Sequence, residues 1–404
     1  MNKVLKNSTM RQTPVQVPRG LVPTPFHARL EPANITQDWM GWSGFLSARK
    51  FQSVESEYFA IRNQSTLFDL SPMHKYRIEG PDALTVVNRL LTRDVRKLKD
   101  NRVGYAVWCD EDGSTIDDGT IFRFTDTHFR LCCQEPQYTW LCDVAWGFDV
   151  TLTDESETVV GLSMQGPTSY SVLKAAGFEG TEGMKPFDIQ HFDDDIMISR
   201  TGFTGDLGYE LWADSENALP LYDRLMSAGR NLGLRPIGYD ALNMARIEAG
   251  FMVTGVEFQS IHHALRPTRG RTPFDLGLDR LVHFDKGHFN GRRALLKAKE
   301  TGPRYALVAL EIDGNKPAHQ ALVYHKGKTE AGLITSALWS PICKRNLALA
   351  MLKAPFGIDI TTDLKVEIYH DKEGKYDRAM VPAKIADRPF FNNPRRAATP
   401  PALC

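Results

Sequence analysis

The sequence lacks the features that mark three common classes of protein. It contains no run of about 18 apolar residues, the length that a helix needs to cross a bilayer, and its first residues form no apolar segment. The six cysteines fall at no metal-ligand spacing. Lysine plus arginine and aspartate plus glutamate number 49 each, so no net charge attracts a polyanion. We therefore expect a cytoplasmic protein with no membrane segment, no bound metal and no nucleic-acid partner.

Two further absences narrow the chemistry. No Gly-x-Gly-x-x-Gly motif follows an N-terminal strand, so the chain has no dinucleotide fingerprint with which to hold a flavin of its own. The histidines stand in no recognisable catalytic frame, and the adjacent pair His262-His263 has no further ligands for a metal. Cys132 and Cys133 are neighbours in a predicted strand and point to opposite faces, which is typical of buried thiols in a reducing compartment. What stands out instead is two acidic motifs.

The more informative acidic motif is the pair Asp117-Asp118. It lies between a glycine-containing turn at 110–113 and two alternating segments, 120–124 and 129–133, which predict a strand pair. Successive side chains of a strand point to opposite faces, so at most one of the two carboxylates is buried. A carboxylate placed against an apolar sheet face is desolvated and needs a specific donor. The pair therefore predicts a ligand site.

A glycine-rich segment, Arg200 to Trp212, carries the second acidic motif. Three glycines in seven residues allow a tight turn and a close approach of the backbone to another surface. Glu210 follows inside the next predicted strand, between Tyr209 and Leu211. Two interpretations stay open. The glutamate binds a ligand, or it faces solvent, which is the commoner outcome for a single Glu on a one-sided sheet.

The order of predicted elements indicates an α+β chain that ends in an all-β module. A strand, a Gly-Pro pair and a helix occur at 75–91 and again at 160–174, which suggests two subdomains built alike, although Gly-Pro is also a common helix opener. Two further helices are predicted, one with Ser215 at its N-cap and one over 239–249. From residue 305 onward, short alternating segments predict strands and no helix.

The two acidic motifs belong to an ordered series of short motifs along the chain. The series is Leu67-Phe68-Asp69-Leu70-Ser71-Pro72-Met73, Gly80-Pro81-Asp82-Ala83, Leu91-Thr92-Arg93-Asp94-Val95, Ile116-Asp117-Asp118, Gln165-Gly166-Pro167, the hairpin from Arg200 to Trp212, Arg246-Ile247-Glu248-Ala249-Gly250 and Phe289-Asn290-Gly291-Arg292. In order and spacing it resembles the glycine cleavage T-protein (aminomethyltransferase) family over about residues 50 to 385. The Arg-Thr-Gly-Phe-Thr-Gly hairpin is the most specific part of the likeness.

The resemblance implies a fold, an α+β protein whose three domains form a cloverleaf around a central channel that holds tetrahydrofolate. Two of the domains are expected to be ferredoxin-like or otherwise α+β, and the third to be a β-barrel or a jelly-roll-like domain. We expect a central folate-binding domain from 25–70 with 155–300, a second α+β domain from 71–154 that carries the aspartate pair, and an all-β domain from 301–390. The segments 1–20 and 392–404 lack periodicity and are predicted to be flexible.

By the same resemblance, the family's catalytic aspartate falls on Asp118 and its pterin-binding glutamate on Glu210. The glutamate would accept hydrogen bonds from the amino and ring N–H edge of the pterin, and the aspartate would orient the nitrogens that receive the one-carbon unit. Further positions match family residues that bind the folate, namely Met73, Tyr105, Cys132, Gln134 and Phe203. Core packing is the alternative role for the apolar and aromatic members.

Departures from the family's pattern bear on the one-carbon donor. Gln134 stands where the T-protein has asparagine, Leu242 replaces an arginine offered to the folate tail, and Arg280 replaces a tryptophan. We therefore expect a tetrahydrofolate-dependent one-carbon transferase that acts on a small methylated amine, sulfonium or methoxy compound. Three alternatives stay open, a glycine cleavage aminomethyltransferase with a lipoyl carrier protein, a folate-binding chain with a flavoprotein partner, and a non-catalytic folate-binding scaffold. Arg246 and Glu248 are expected to form a structural pair under the site.

Overall fold

The computed structural model describes residues 20–192, 195–316 and 318–403, so the predicted flexible segment 1–20 lies outside the described residues except for Gly20. In these residues the α-helices are α1 (His27–Ala33), α2 (Val54–Asn63), α3 (Ala83–Leu90), α4 (Tyr138–Val144), α5 (Ser169–Ala175), α6 (Ala218–Gly229), α7 (Tyr239–Glu248) and α8 (Arg292–Thr301). The strands are β1 (Val22–Pro23), β2 (Asp38–Trp42), β3 (Phe45–Lys50), β4 (Thr66–Asp69), β5 (His74–Glu79), β6 (Arg102–Cys109), β7 (Thr115–Thr125), β8 (His128–Cys133), β9 (Thr151–Asp154), β10 (Val159–Gln165), β11 (Ile189–His191), β12 (Met197–Ser199), β13 (Gly208–Asp214), β14 (Arg235–Pro236), β15 (Tyr305–Ile312), β16 (Leu322–His325), β17 (Thr329–Ser340), β18 (Arg345–Lys353), β19 (Leu364–Lys372) and β20 (Lys375–Ala386). No helix among those described is both long and apolar enough to span a membrane.

The first mixed sheet is built around β10, all of whose residues are buried. Its strand order is β11-β12-β13-β10-β4-β14, and β10 pairs antiparallel with both β13 and β4. The strand reads as a nearly continuous apolar run because both of its faces are covered. Helices α5 and α6 cover one face through Leu173 and Leu225, and α2 and α7 cover the other through Ile61 and Ala245.

The second sheet is antiparallel throughout and has the strand order β6-β7-β8-β5-β9. Helices α3 and α4 bury one of its faces, where Val87 and Leu141 pack in one core with Ile121 and Leu131. The buried residues of α3 form one apolar stripe that supplies this contact, because residues three and four apart in a helix share a face. The opposite face of the sheet is free to contact the rest of the molecule.

An apolar interface, here called the inter-sheet core, joins the first mixed sheet to the second, antiparallel sheet. Phe122 and Cys132 contribute to it from the second sheet, and Phe68 and Trp212 from the first. The rings of Phe122 and Trp212 meet edge to face, with centroids 5.6 Å apart and planes at 81°. Such aromatic pairs contribute about 0.5–1.5 kcal/mol beyond the area that they bury. This contact fixes the orientation of the two sheets relative to each other. It thereby also positions the side chains at the margin of the core.

The C-terminal strands β15 to β20 form a closed barrel in the order β15-β18-β17-β16-β19-β20. Alternating segments predict the first five of these strands, but the sequence analysis missed β20. The sequence of β20 contains many charged residues and Pro382, and proline is uncommon inside a strand. These residues do not give the pattern of a strand. By pairing with both β19 and β15, β20 closes the barrel and leaves no sheet edge. The predicted α+β fold with a C-terminal β-barrel is confirmed.

Two buried ion pairs tie α7 to its neighbours, and they differ from the predicted pair. The expected pair between Arg246 and Glu248 is wrong, because Arg246 donates to Glu257 at 2.9 Å and Glu248 accepts from Arg62 at 2.6 Å. Residues two apart in a helix point in different directions and do not face each other. Ser336 of β17 also donates to Glu257, so the first ion pair reaches the barrel.

The C-terminal tail is held against the first mixed sheet. The sequence predicts a flexible segment over 392–404, whereas the structure places Arg395 on buried Asp206 with two hydrogen bonds of 2.6 and 2.7 Å. The guanidinium of Arg200 donates to the backbone oxygen of Ala398 at 2.6 Å. Composition gives no sign of these contacts, because the partners lie about 190 residues away along the chain.

Replacing Arg395 with alanine should loosen this tail. Asp206 would keep the backbone N–H of Leu207 at 2.8 Å and, as its one remaining cation among the described residues, Arg62 at 3.5 Å. A hydrogen bond to a charged group contributes about 1.5–3 kcal/mol, so we expect the free energy of unfolding in urea to fall by about 1–2 kcal/mol. Backbone amides after residue 393 should exchange faster with deuterium. Exposed Arg396, replaced in the same way, is the matched control. Equal effects of the two substitutions would contradict the contact.

Candidate active site

Asp118 and Glu210 border the same inter-sheet core from opposite sides. Successive side chains of β7 alternate between its two faces, so Asp118 shares a face with Phe122, four residues further on. In β13 the alternation places Glu210 on the face of Trp212. Since Phe122 and Trp212 are in contact, the two carboxyl groups lie at the margin of one interface. The two acidic motifs that the sequence analysis singled out thus lie on the two sheet faces that form the inter-sheet core.

Within the aspartate pair, Asp117 is fully buried and Asp118 is half-buried. This agrees with the expectation that at most one of them is buried. Asp117 accepts hydrogen bonds from the backbone N–H groups of Asp118 and Glu135, both at 2.9 Å. The hydroxyl of Thr254 lies 2.5 Å from Oδ1 of Asp117 and 3.0 Å from Oδ1 of Asp118. A hydroxyl has a single proton to donate, so Thr254 serves one carboxylate at a time.

The surroundings of Asp118 raise its pKa towards neutral pH. Burial raises the pKa of Asp118 to about 6, hydrogen bonds from Tyr105 and Thr254 oppose the rise, and the negative charge of Glu257 adds to it. The Tyr105 hydroxyl donates to Oδ2 at 2.6 Å. Burial, and then the charge of Asp118, raise the pKa of Asp117 well above its usual range. Above pH 6 the pair therefore favours a single negative charge, carried by Asp118.

Replacing Tyr105 with phenylalanine should raise the pKa of Asp118 further. The lost hydrogen bond stabilises the ionised carboxylate, and bonds of this kind correspond to about one pKa unit. A ¹³C NMR titration of the Asp118 carboxyl carbon should therefore move from about 6 towards higher pH. Tyr369→Phe, on the exposed surface of the barrel, is the control and should leave the titration unchanged. A titration that is identical in Tyr105→Phe would contradict the assigned hydrogen bond.

Glu210 is a residue of β13 and has few hydrogen-bond partners. Its Oε2 accepts a hydrogen bond from the hydroxyl of Thr201 at 2.5 Å, which is its single side-chain hydrogen bond among the described residues. Burial raises the pKa of Glu210 to about 7, and the bond from Thr201 opposes the rise. The residue is half-buried, and burial is the main cause of its raised pKa. A carboxyl in this state has unused capacity to accept hydrogen bonds from a ligand.

Two hairpin glycines make room for one glutamine. A Cβ atom at Gly202 or at Gly208 would lie 2.1 Å from Oε1 of Gln165. The Gln165 side chain accepts from the hydroxyl of Thr204 at 2.9 Å and donates to the backbone oxygen of Thr201 at 3.3 Å. Glycine is therefore required at both positions, and Gln165 sets the path of the loop that presents Thr201 to Glu210.

Three of the further predicted residues, Met73, Cys132 and Phe203, lie in or against the inter-sheet core. Burial raises the pKa of the Cys132 thiol to about 12, and the charge of Glu210 adds to the rise. Cys132 is therefore a close neighbour of Glu210. Phe203 stacks on Phe251 with ring centroids 5.2 Å apart. These side chains give the interface between the two acids an apolar lining.

The remaining two predicted residues lie elsewhere around Asp118. Tyr105 belongs to an apolar cluster that faces the barrel, and it reaches Asp118 only through its hydroxyl. Gln134 follows β8 and accepts a hydrogen bond from the indole nitrogen of Trp42 at 3.2 Å. Gln134 is thereby held by a residue of β2, from the three-stranded sheet at the start of the described chain.

Sequence reasoning missed two residues that shape the acidic site. These residues are Thr254 and Glu257. Thr254 lies 136 residues from Asp118 along the chain and has no periodic or spacing signal. Glu257 is buried by its ion pair with Arg246, a contact that depends on how the loop after α7 folds back.

Two helix-covered sheets each present an acid to a shared core, and a closed barrel follows them in the chain. This arrangement defines a class of α+β proteins with a C-terminal barrel domain. Comparison with family models divides the chain in the same way. The GCVT N-terminal domain matches residues 24–286, and the glycine cleavage T-protein C-terminal barrel domain matches residues 306–392. The chain belongs to the glycine cleavage T-protein family, as the resemblance in its motifs predicted.

Bacterial relatives support this assignment over most of the chain. A protein named Aminomethyltransferase from Geobacillus sp. strain WCH70 is 33% identical over 369 residues, covering 88% of this chain and 94% of its own length. Proteins of the same name from Caldanaerobacter subterraneus subsp. tengcongensis and Shouchella clausii are each 32% identical, over 79% and 92% of this chain and 84% and 98% of their own lengths. The crystal structure of glycine cleavage system aminomethyltransferase T from Bartonella henselae has a TM-score of 0.80 at 23% identity, covers 92% of this chain and 99% of its own, and shows the shared fold.

Proposed function

We propose that this protein is a tetrahydrofolate-dependent aminomethyltransferase. Relatives of that name match it at 32–33% identity over most of both chains. This support favours aminomethyl transfer, which the sequence analysis kept as an alternative, over the small methylated donor that it preferred. The observation that carries the proposal is that two carboxyl groups with raised pKa, Asp118 and Glu210, lie on the two sheet faces that form one apolar core. Perturbed acids that share a site are typical of functional centres.

Glu210 fits the anchoring of a reduced pterin. Its carboxyl accepts one hydrogen bond, from Thr201, and can accept further hydrogen bonds from the amino and ring N–H groups of a pterin. An ionised carboxylate without such donors is costly in these surroundings, as its pKa of about 7 indicates. The bound pterin would thus turn an unfavourable charge into a directed contact. Met73, Cys132 and Phe203 would pack against its rings and exclude water.

Asp118 is proposed as the catalytic residue. When bound, tetrahydrofolate supplies the nitrogen atoms that receive the one-carbon unit. The Asp118 carboxylate would accept a hydrogen bond at this end of the site and hold the reacting groups in line, while Tyr105 and Thr254 keep its ionised form accessible near pH 6. Positioning and electrostatic stabilisation, without a covalent enzyme intermediate, would then lower the barrier.

The donor is proposed to be an aminomethyl group on a lipoyl carrier protein, the partner that the family's reaction implies. The small methylated donor is a second candidate because of one observation. Arg280 and Arg388 form no ion pair among the described residues, buried Nη1 of Arg388 lacks a hydrogen-bond partner there, and both positive charges oppose the rise in the pKa of Tyr105, which suits a small anionic molecule better than a neutral lipoyl arm. The two candidates differ in oxidation level and therefore in the folate product.

The experiment is to incubate the protein with tetrahydrofolate and either an aminomethylated lipoyl carrier or a panel of methylated amines, sulfonium compounds and methoxyaromatics. The folate product is identified by mass spectrometry. An aminomethyl donor yields 5,10-methylene-tetrahydrofolate, and a methyl donor yields 5-methyl-tetrahydrofolate. We expect the methylene product with the carrier. If the protein binds tetrahydrofolate but forms neither product from any donor, the non-catalytic scaffold replaces the proposal.

A further inference from the structure

A cavity of about 310 Å³ opens on the outer side of the second sheet, between α3 and the loop that precedes α8. Four residues of α3 line it, namely Leu84, Thr85, Asn88 and Arg89. The buried residues of α3 point towards the sheet, so these four form the outward face of the helix. The inter-sheet core lies on the opposite face of the same sheet. The cavity, here called the α3 cavity, is therefore separate from the proposed site of Asp118 and Glu210.

Arg89 is a cation of the α3 cavity without an acidic partner. Its guanidinium forms no ion pair and no hydrogen bond in the described part of the chain, and its Nε is buried. The central carbon of the guanidinium lies 5.9 Å from the centroid of the Phe148 ring, which keeps the group at the cavity wall. Buried donors are nearly always satisfied in folded proteins, so we expect this nitrogen to bind a ligand or solvent.

Lys286 adds a second positive charge to the α3 cavity. It is buried, and its Nζ donates to the backbone oxygens of Asn88 and Leu91, which fixes it at the C-terminal end of α3. Among the described residues, all the acceptors of this ammonium are uncharged oxygens. Burial lowers the pKa of Lys286 to about 7, the charge of Asp94 opposes the change, and the charge of Arg96 adds to it. An anion in the cavity would stabilise the charged lysine.

The acidic side chains closest to these cations already have cationic partners of their own. Asp94 accepts hydrogen bonds from Arg96 at 2.8 and 3.0 Å. Asp285 accepts a hydrogen bond from Lys97 at 3.1 Å. No aspartate or glutamate is among the described residues that line the α3 cavity. The positive charge at the cavity is therefore not neutralised by the described side chains.

Two further side chains can donate hydrogen bonds into the α3 cavity. Thr85 and His288 line it, both residues are exposed, and neither side chain forms a hydrogen bond with a described residue. Thr85 lies one turn before Arg89 on α3, and His288 belongs to the loop before α8. The lining thus offers donors from two elements on either side of one cavity. A ligand with several acceptor oxygens would bind both of them.

We infer that the α3 cavity binds a small phosphate ester, a function separate from one-carbon transfer. The guanidinium of Arg89 presents paired N–H donors that match two phosphate oxygens, and the third oxygen would accept from Thr85 or His288. Leu84 and the ring of Phe148 would contact the organic part of the ester. Ligand cavities commonly span about 300–1,000 Å³, so this one suits a phosphate with a single attached ring.

A carboxylate shares part of this chemistry, but it offers fewer acceptors. Its two oxygens lie in one plane and would be used by the guanidinium alone, whereas a phosphate ester has three terminal oxygens in a tetrahedral arrangement. A phosphate ester also carries about 1.5 to 2 negative charges at pH 7, whereas a carboxylate carries a single one. Because Arg89 and Lys286 both lack a carboxylate partner among the described residues, the charge of a phosphate ester matches the cavity better.

The test is calorimetric titration of the full chain with phenyl phosphate, inorganic phosphate, phenol and benzoate. These four probes separate the contribution of the anionic group from that of the ring, and a phosphate from a carboxylate. We expect phenyl phosphate to bind at least tenfold more tightly than each of the other three. If any of the three binds as tightly as phenyl phosphate, the inference is overturned.

Variants of two lining residues locate the binding. Arg89→Met keeps an aliphatic side chain beside Phe148 and removes the guanidinium, so it should weaken phenyl phosphate binding at least tenfold. Thr85→Asp places a negative charge at an exposed position of α3 and should abolish binding, whereas Thr85→Ser keeps the hydroxyl and should retain it. Arg29→Met is the matched control and should retain binding, because it removes an arginine of α1 whose partner is Asp223 of α6 at 2.8 Å.

Two further outcomes would overturn the inference. One is that phenyl phosphate binds Arg89→Met and Thr85→Asp as tightly as the unchanged protein while circular dichroism shows both variants folded. The other is that tetrahydrofolate displaces phenyl phosphate, which would make the α3 cavity part of the folate site. Arg89→Met should form folate product at an unchanged rate. If the protein forms no folate product from any donor but still prefers phenyl phosphate through Arg89, the cavity site stands and the one-carbon transfer does not.

Discussion

Asp118→Asn should abolish most turnover and leave folate binding intact. Asparagine has the size of aspartate but a single acceptor oxygen, so it keeps the hydrogen bond from either Tyr105 or Thr254 and presents an NH₂ group to the other hydroxyl. It carries no charge, so the electrostatic stabilisation at this end of the site is lost. We expect kcat to fall by a factor of about 10²–10³, which corresponds to roughly 3–4 kcal/mol of transition-state stabilisation. The dissociation constant of tetrahydrofolate should change by less than about threefold.

Turnover is measured as folate product formed with the donor identified above, and binding is measured by calorimetry. Asp112→Asn, on the exposed turn before β7, is the matched control because it removes one carboxylate from the same loop region without touching the site. Unchanged turnover in Asp118→Asn would remove Asp118 from the catalytic role. A variant that loses turnover and folate affinity together would assign Asp118 to binding instead.

Glu210→Gln should weaken folate binding and at the same time stabilise the protein without folate at alkaline pH. In the folded chain the pKa of Glu210 is about 7, above the value of 4.5 that an unperturbed glutamate has. The protonated carboxyl is therefore favoured by folding, and the stability that it contributes is lost as pH rises through about 7. At pH 8 the ionised wild-type carboxyl costs at most about 3 kcal/mol that glutamine does not incur.

We therefore expect the melting temperature of Glu210→Gln to exceed that of the wild type at pH 8, by a difference that shrinks towards pH 5. Tetrahydrofolate affinity should fall at least tenfold, because glutamine offers one acceptor oxygen and an N–H group that opposes the pterin donors. Glu216→Gln, at an exposed position after β13, should change neither quantity. A melting difference that is the same at both pH values would show that Glu210 ionises normally. Unchanged affinity would remove it from the pterin site.

The acidic pair and the glycine hairpin could be recognised from the sequence because their signals are local. Asp117-Asp118 follows a turn and opens a strand, and the alternation of a strand limits which of two neighbours is buried. Glycines at 202 and 208 mark a place without room for a side chain, although only the structure shows that Gln165 occupies it. The motif series then led to the family, and the family to the fold.

Signals that depend on distant partners were missed or misassigned. The Arg246–Glu248 pair looked plausible along one helix, but each residue pairs with a side chain from another element. Strand β20 shows little hydrophobic alternation of its own. It forms because its backbone pairs with β15 on one side and with β19 on the other. Arg388, like the tail residue Arg395, follows the last strand in a segment without periodicity.

The sequence by itself determined the fold class, the family and the two acids, because alternation, turn residues and motif spacing are properties of short segments. Tertiary structure alone decided the environment of those acids: which of the aspartates is buried, and that Thr254 links them. The reason is physical. Burial and charge act through space, over a few ångströms, between residues that the chain places more than a hundred positions apart.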